Sequence, residues 1–461
     1  MWSVTIVSLL LIGGLQQLSL TLTFDSLLFV LLENLKIPYS TVLLFLSLVT
    51  IALGIVAIFL APIIDANHNV NMVLWASGCS LMARSGCLAM LIIERSFGTW
   101  HYVVLTVLYI FNFVADVTFV SQLISLILKR YIEGTYSTIS TNIYQERFSD
   151  QVFAVQYSVG NISGFIGALC YDTFRTYAPT VQEANVATQG YALLVNMGIL
   201  GLLLVSRTFF FASELVRPAP SLTRHLTGTS PTSLAHKIFV TAPIRWIKGF
   251  YSVLGQPSFR RYAAFSLVLL GVSTIFRHID QTMPIVLQRL YNPRIHFALV
   301  EGINALGVGL LTVPIQWLTS KYRSYNVIMV GTIISSLSVL IVVIPNSHAS
   351  NTDALFVDYI PYILFVAVYS IGEATWSGRL TSYMLRSAPK QSRAMYQALA
   401  HLLQLGARLI STWHATWLVG HYCPSNVHCE PQRMWAIIWG VGAITPFLLI
   451  VFTRWLRMST Q

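Results

Sequence analysis

The chain has 461 residues, 55% of them hydrophobic and only 10% charged, with a net charge of +11 and a mean hydropathy of +0.67. Soluble chains carry about 25% charged residues, so a soluble enzyme or scaffold is excluded. A nucleic-acid partner is excluded too, because the basic residues sit in short loops between apolar runs, where they set membrane topology.

Apolar runs of about 20 residues mark helices that span a bilayer. They fall near 3–30, 39–62, 71–93, 101–128, 151–173, 189–211, 259–288, 296–319, 325–345, 357–385, 391–420 and 434–456, which makes twelve. Met1 to Phe24 holds no Lys or Arg, and its apolar run is too long for a secretory signal, so it reads as a retained first helix. Between the sixth and seventh spans lies RPAPSLTRHLTGTSPTS, which is loop chemistry. Leu234 to Phe250 follows, a short amphipathic surface helix with Lys237, Arg245 and Lys248 toward the headgroups and Pro243 as a break. The expected division is a six-helix bundle over 1–211, a cytoplasmic linker over 212–258 and a second six-helix bundle over 259–461.

Orientation follows from the loop charges. With both termini in the cytoplasm, the inside loops hold seventeen Lys and Arg and the outside loops six. That asymmetry decides the topology.

Six spans, a long basic loop and six more spans resemble the major facilitator superfamily, whose cargo site lies between two halves near mid-bilayer. The loop LAPIIDANHNVN puts Asp65 where that superfamily's motif after the second helix has its Asp. The equivalent loop VPIQWLTSKYRSYN supplies Lys321 and Arg323. A narrower resemblance, to the proton-coupled oligopeptide transporters, rests on Gly372-Glu373, Ser377-Gly378-Arg379 and Ala388-Pro389-Lys390. FSDQVFAVQYSVGN, Phe148 to Asn161, also looks like that family. The family's Glu-x-x-Glu-Arg motif on the first helix has no counterpart here, where only Asp25, Glu33 and Lys36 are found.

A charge at mid-membrane costs roughly 2.5–3.5 kcal/mol on insertion scales, so charged residues inside spans mark candidate sites. In the seventh span Arg277 and Asp280 share a face, with His278 pointing elsewhere and Pro284 allowing a bend. In the tenth, Glu373 and Ser377 share a face. Arg379 lies about 120° round, toward the cytoplasmic side, and is expected to take a different carboxylate. In the eleventh, Gln397, His401, Gln404, Arg408 and Ser411 form a polar stripe that must face the bundle or a cavity, and Arg408 is a partner for Glu373 or for an anionic cargo group. Asp116 in the fourth span needs a partner, and Arg84 is the obvious one. Gln156, Tyr157 and Asn161 in the fifth are expected to line the cavity, and Gly160 and Gly164 to mark close helix packing. Cys423 and Cys429 share one outside loop with His421 and His428. They form a disulfide in an oxidising space or, alternatively, a metal site.

No phosphate-cradling GxxxxGK[ST] loop occurs, which argues against an ATP-driven pump. The expected fold is an all-α membrane protein of two six-helix bundles, monomeric and without a cofactor. The expected function is secondary transport of a small solute by alternating access, with proton coupling and coupling-free facilitation both open. The rival classes are a membrane enzyme using His401 or His278 as base, and a transporter-shaped receptor.

Overall fold

The structure is a computed structural model and describes residues 4–29, 70–93, 107, 124–126, 128, 129, 132, 142–177, 190, 191, 193–199, 251, 253–290, 297–344, 360–389, 393–424 and 429–456. The first half of the chain contributes helices α1 (Val4–Phe29), α2 (Val70–Ile93) and α3 (Asn142–Tyr177). The second half contributes α4 (Pro257–Val268), α5 (Leu270–Gln281), α6 (Met283–Leu290) and α7 (Phe297–Leu318). After these come α8 (Ser324–Ser338), α9 (Leu340–Val343), α10 (Ile360–Ser387), α11 (Arg393–Tyr422), α12 (Pro431–Val451) and α13 (Thr453–Leu456). The second expected span and the surface helix at Leu234–Phe250 lie outside the described residues, as do most of the fourth and sixth spans.

Three helical stretches are long and apolar enough to cross a membrane among the described residues: Arg147–Cys170 in α3, Ser324–Val343 across α8 and α9, and α12. The α4–α5 pair is a fourth if its 41° bend belongs to one span. Helix α3 begins nine residues before the expected span because NIYQERFSD holds no Gly or Pro, and its Gln, Glu and Arg are good helix formers. Its polar first turns extend the helix beyond the apolar window.

The seventh span is bent for a reason that the sequence hides. Beside the expected hinge at Pro284, a 41° bend lies at Leu269. There Thr445 of α12 inserts its hydroxyl into the backbone ladder: it donates to the Val268 carbonyl at 2.6 Å and accepts from the Val272 N–H at 2.9 Å. A side chain wedged into an i→i−4 bond is a recognised cause of a kink. Gly271 admits it, since a Cβ there would sit 2.6 Å from Thr445 Oγ1. Pro284 stands second in α6, just after the helix break at Thr282, where its missing N–H is harmless.

Close backbone approaches set the rest. α8 and α10 touch at Gly331 and Gly372, where a Cβ on Gly331 would sit 2.8 Å from the Gly372 carbonyl oxygen. α3 and α7 touch at Gly309, where a Cβ would meet Ile162 at 2.6 Å. The Gly160/Gly164 expectation shifts along the helix. Gly160 has nothing within 4 Å, and the tight contact falls at Gly167, 3.0 Å from Thr21. Gly164 does face α1, its Cβ position 3.8 Å from Thr21 Oγ1, so the seam follows Gly164 and Gly167 and not Gly160.

One apolar cluster lies within the second half, around Phe265, Ile275, Tyr325, Phe365 and Trp435. A second joins the halves: Ile6, Leu9, Phe148 and Val152 pack with Met384, Leu385, Met395 and Tyr396. It lies at the end of the bundle that carries Lys321, Arg323 and Arg386, here called the basic end. The opposite end carries Cys423 and Cys429 and is called the disulfide end.

Candidate functional site

Glu373 is the centre of the site. It is 5% exposed, on a face of α10 that also carries Tyr369 and Ser377. Gly307 lets α7 approach α10, since a Cβ there would meet Ser370 at 2.8 Å. That approach brings Asn304 into reach, and its Nδ2 donates to Glu373 Oε2 at 3.0 Å. The Ser370 hydroxyl, 2.8 Å from Asn304 Oδ1, fixes which way the amide faces. From the first half of the chain, the Tyr157 hydroxyl donates to Glu373 Oε1 at 2.8 Å. Asn161 steadies α3 at this level by donating to the Tyr157 carbonyl at 2.8 Å. Both carboxylate oxygens are therefore held by neutral donors, one from each half.

Arg277 and Asp280 pair on α5 at 3.2 Å and interact electrostatically with Glu373. Tyr369 belongs to the same group, interacting with Glu373, Tyr157, Asp280 and Arg277. Its hydroxyl is buried and has no hydrogen-bond partner among the described residues. A buried hydroxyl without a partner is a free polar handle, because such groups are normally satisfied.

A second link between the halves lies at the basic end. Arg386 donates from one terminal nitrogen to Asp150 Oδ1 at 2.8 Å, and Ser382 donates to the same oxygen. The pair is largely buried, with 17% and 13% of the two side chains exposed. The inter-half apolar cluster surrounds it. Arg379 meets the expected carboxylate only at a distance: Asp150 interacts with it through charge, and its hydrogen bonds go elsewhere. Its donors go to Gln316 Oε1 at 3.1 Å, the Tyr322 carbonyl at 2.9 Å and Thr319 Oγ1 at 3.1 Å. The turn after α7 wraps over its guanidinium with neutral oxygens, and the Asp150 carboxylate acts on it through charge without a hydrogen bond.

His278 faces away from Asp280, as the sequence implied, and finds a partner that the sequence did not show. It is fully buried, with Nδ1 2.7 Å from Thr282 Oγ1 and Nε2 3.1 Å from His414 Nδ1 on α11. Of the stripe on α11, Gln397 and Ser411 are buried. His401, Gln404 and Arg408 lie on the same helix, and their side chains are outside the described residues, so Arg408 is not among the observed partners of Glu373. Gln156 donates to Ser125 Oγ at 3.3 Å. Arg84 donates to the Gln16 carbonyl at 3.0 Å and to Ser19 Oγ at 2.8 Å, while Asp116 and Asp65 fall outside the described residues. Lys321 and Arg323 stand exposed between α7 and α8.

No protein-family model matches this sequence, and no curated protein matches it. Solved structures match along nearly the whole chain. A peptide-transporter-family (POT) protein in complex with 5-aminolevulinic acid aligns at TM-score 0.68 and 16% identity, covering 98% of this chain and 97% of that one. The nucleoside transporter NupG aligns at TM-score 0.59 and 14% identity, covering 99% and 100%. A human organic anion transporter aligns at TM-score 0.60 and 15% identity, covering 96% and 98%. The fold is the major facilitator fold.

In this fold the two polar links both join α3 to α10, and the disulfide end is held differently. Cys423 and Cys429 are bonded to each other, and Arg289 at the end of α6 donates to the Cys423 carbonyl. The disulfide alternative therefore holds over the metal site, and no group of three metal-ligating side chains occurs among the described residues. Asn304, Tyr369, Asp150, Arg386 and His414 were not singled out from the sequence as site residues. For Asn304 the signal was present, as a polar side chain in FALVEGINALGVGLL.

Proposed function

We propose that this chain is a secondary transporter of a small polar solute that works by alternating access and is driven by protons, with Glu373 as the coupling group. The observation that carries the reading is the Tyr157–Glu373–Asn304 link, a buried carboxylate shared between the halves and hydrogen-bonded by neutral donors among the described residues. Tyr157 and Asn304 donate to the ionised carboxylate, so taking up a proton competes with the bond that Glu373 makes between the halves. Protonating it removes an acceptor from the contact between the halves, so proton binding and the separation of α3 from α10 are linked. The Tyr369 hydroxyl, without a hydrogen-bond partner among the described residues, and the Arg277–Asp280 pair stand beside it as contacts for cargo. The solved structures of like fold are named for peptides, nucleosides and organic anions, which supports a small polar or charged solute. By the distribution of loop charges the basic end is cytoplasmic, so Asp150–Arg386 closes that side. The membrane-enzyme reading loses ground because His278 is spent on Thr282 and His414.

The test is uptake into vesicles reconstituted with the full chain. An imposed pH gradient, acid on the uptake side, is expected to drive accumulation. Glu373→Gln is expected to lose accumulation while keeping counterflow exchange of labelled solute. Uptake that ignores the gradient in the unaltered protein would leave the facilitative reading in its place.

A further inference from the structure

Helices α3 and α7 come from opposite halves and touch at Gly309, where Ser158 donates to the Gly309 carbonyl. Beyond that contact, toward the basic end, they enclose a cavity of about 380 Å³. Ala154 and Val155 form one wall, and Val313, Pro314 and Trp317 the other. Bound small ligands occupy cavities of about 300–1,000 Å³. Trp317 is 68% exposed and forms the rim, so the cavity opens on the outer, apolar surface of the bundle and not on the Glu373 cluster.

Two polar side chains line this otherwise apolar space. Gln151 comes from α3 and Gln316 from α7. Gln316 is 2% exposed; its Oε1 is taken by Arg379, and its Nε2 has no hydrogen-bond partner among the described residues. An unpartnered buried donor calls for an acceptor, and a lipid ester carbonyl supplies one.

The mouth is basic. Arg147 is exposed one turn before Gln151 on the same face of α3. Lys321 is exposed one turn beyond Trp317, and Arg323 is exposed beside it. The apolar span of α3 begins at Arg147 and α7 ends at Leu318, so these cations mark one membrane edge. Of the acids nearby, Asp150 is committed to Arg386, and Glu146 lies about 100° round α3 from Arg147. Basic groups at a membrane edge attract anionic lipid headgroups at close range.

We propose that the α3–α7 groove is a binding site for an anionic phospholipid, with an acyl chain between Val155 and Val313 and the phosphate against Arg147 and Lys321. A free phosphate would have no use for the apolar walls. A zwitterionic lipid brings the same phosphate, but its own cation offsets the attraction to Arg147 and Lys321. Because one wall belongs to each half, such a lipid binds this arrangement of the halves and stabilises it by mass action. The site is separate from Glu373 and does not rest on the transport reading.

The experiment is thermal unfolding of the purified full chain in a neutral detergent. It is titrated with dioleoylphosphatidylglycerol, with phosphatidylcholine of the same chains, and with glycerol phosphate. Phosphatidylglycerol is expected to raise the unfolding temperature saturably, phosphatidylcholine to do so only at higher concentration, and glycerol phosphate not at all. Lys321→Ala, in an exposed turn where folding is not at stake, is expected to weaken the phosphatidylglycerol response about fivefold and leave that to phosphatidylcholine unchanged. Val313→Phe, at a partly exposed position, is expected to fill the groove and abolish both responses. Equal responses to the two lipids, a response to glycerol phosphate alone, or an unchanged phosphatidylglycerol response in Lys321→Ala each overturn the proposal.

Discussion

Helices α3 and α10 are joined twice, and the two joints use opposite chemistry. At the basic end Asp150 meets Arg386, and the pair carries its own countercharge. Two turns further along α3, Tyr157 meets Glu373, and neither Tyr157 nor Asn304 brings a charge. A neutralised pair carries no net charge and responds to charge reversal. A carboxylate held by neutral donors is the reverse: it has a charge to lose. The first joint is suited to be a latch, the second a sensor.

Reversing the latch is expected to give the largest effect. Arg386→Asp would set two carboxylates face to face in a half-closed apolar cluster, destabilising the joined form by about 2–4 kcal/mol. A cysteine placed among the buried residues of that cluster, such as Leu385, should then become reactive to a soluble maleimide. Adding Asp150→Arg should restore protection, because the pair is rebuilt with its signs exchanged. If protection does not return, the apolar cluster and not the ion pair holds this end.

The sensor is expected to break more gently. Tyr157→Phe removes one neutral donor to a buried carboxylate, worth about 1–3 kcal/mol. The double-mutant cycle with Glu373→Gln isolates that bond. The coupling should appear in the unfolding temperatures of the four proteins, and a near-zero coupling would separate Tyr157 from Glu373. The same cycle run on Arg386 and Glu373 should add simply, since the two joints share no partner.

The contrast between the joints also explains what was legible in the sequence. Glu373 stood out because a carboxylate in an apolar span is costly wherever it points. Its neighbour Asn304 sends the same signal more weakly, being uncharged, and Tyr157 was visible only as a cavity residue. The latch was hidden for a different reason. Asp150 and Arg386 sit at the ends of spans, where a charge reads as solvated, and their pairing depends on a register between helices more than 200 residues apart. For Arg379 the sequence missed the acceptors that take its hydrogen bonds, because neutral oxygens in a turn leave no pattern in a sequence. His278 was placed correctly too, but His414 is 136 residues away and nothing local announces it. The described helices were readable from hydropathy. The α3 start was not, because polar turns extend a helix without lengthening its apolar run.

The smallest expected effect concerns the bend that aims Arg277 and Asp280. Thr445→Val keeps the size of the side chain and removes the hydroxyl that bridges Val268 and Val272. The Val272 N–H is then free to return to the Val268 carbonyl, so the backbone regains what it loses. The net change should be about 1 kcal/mol or less. The geometry should change more than the stability. Spin labels at Arg260 and Ile285 should move apart as the 41° bend between α4 and α5 relaxes. Straightening would carry the Arg277–Asp280 pair relative to Glu373 while leaving both joints between α3 and α10 intact. Uptake should therefore fall in a protein whose latch still protects the basic end. Unchanged label distances would assign the bend to the packing of Gly271 against α12, where the backbone itself, at the Val441 carbonyl, also comes within 2.8 Å of the Cβ position.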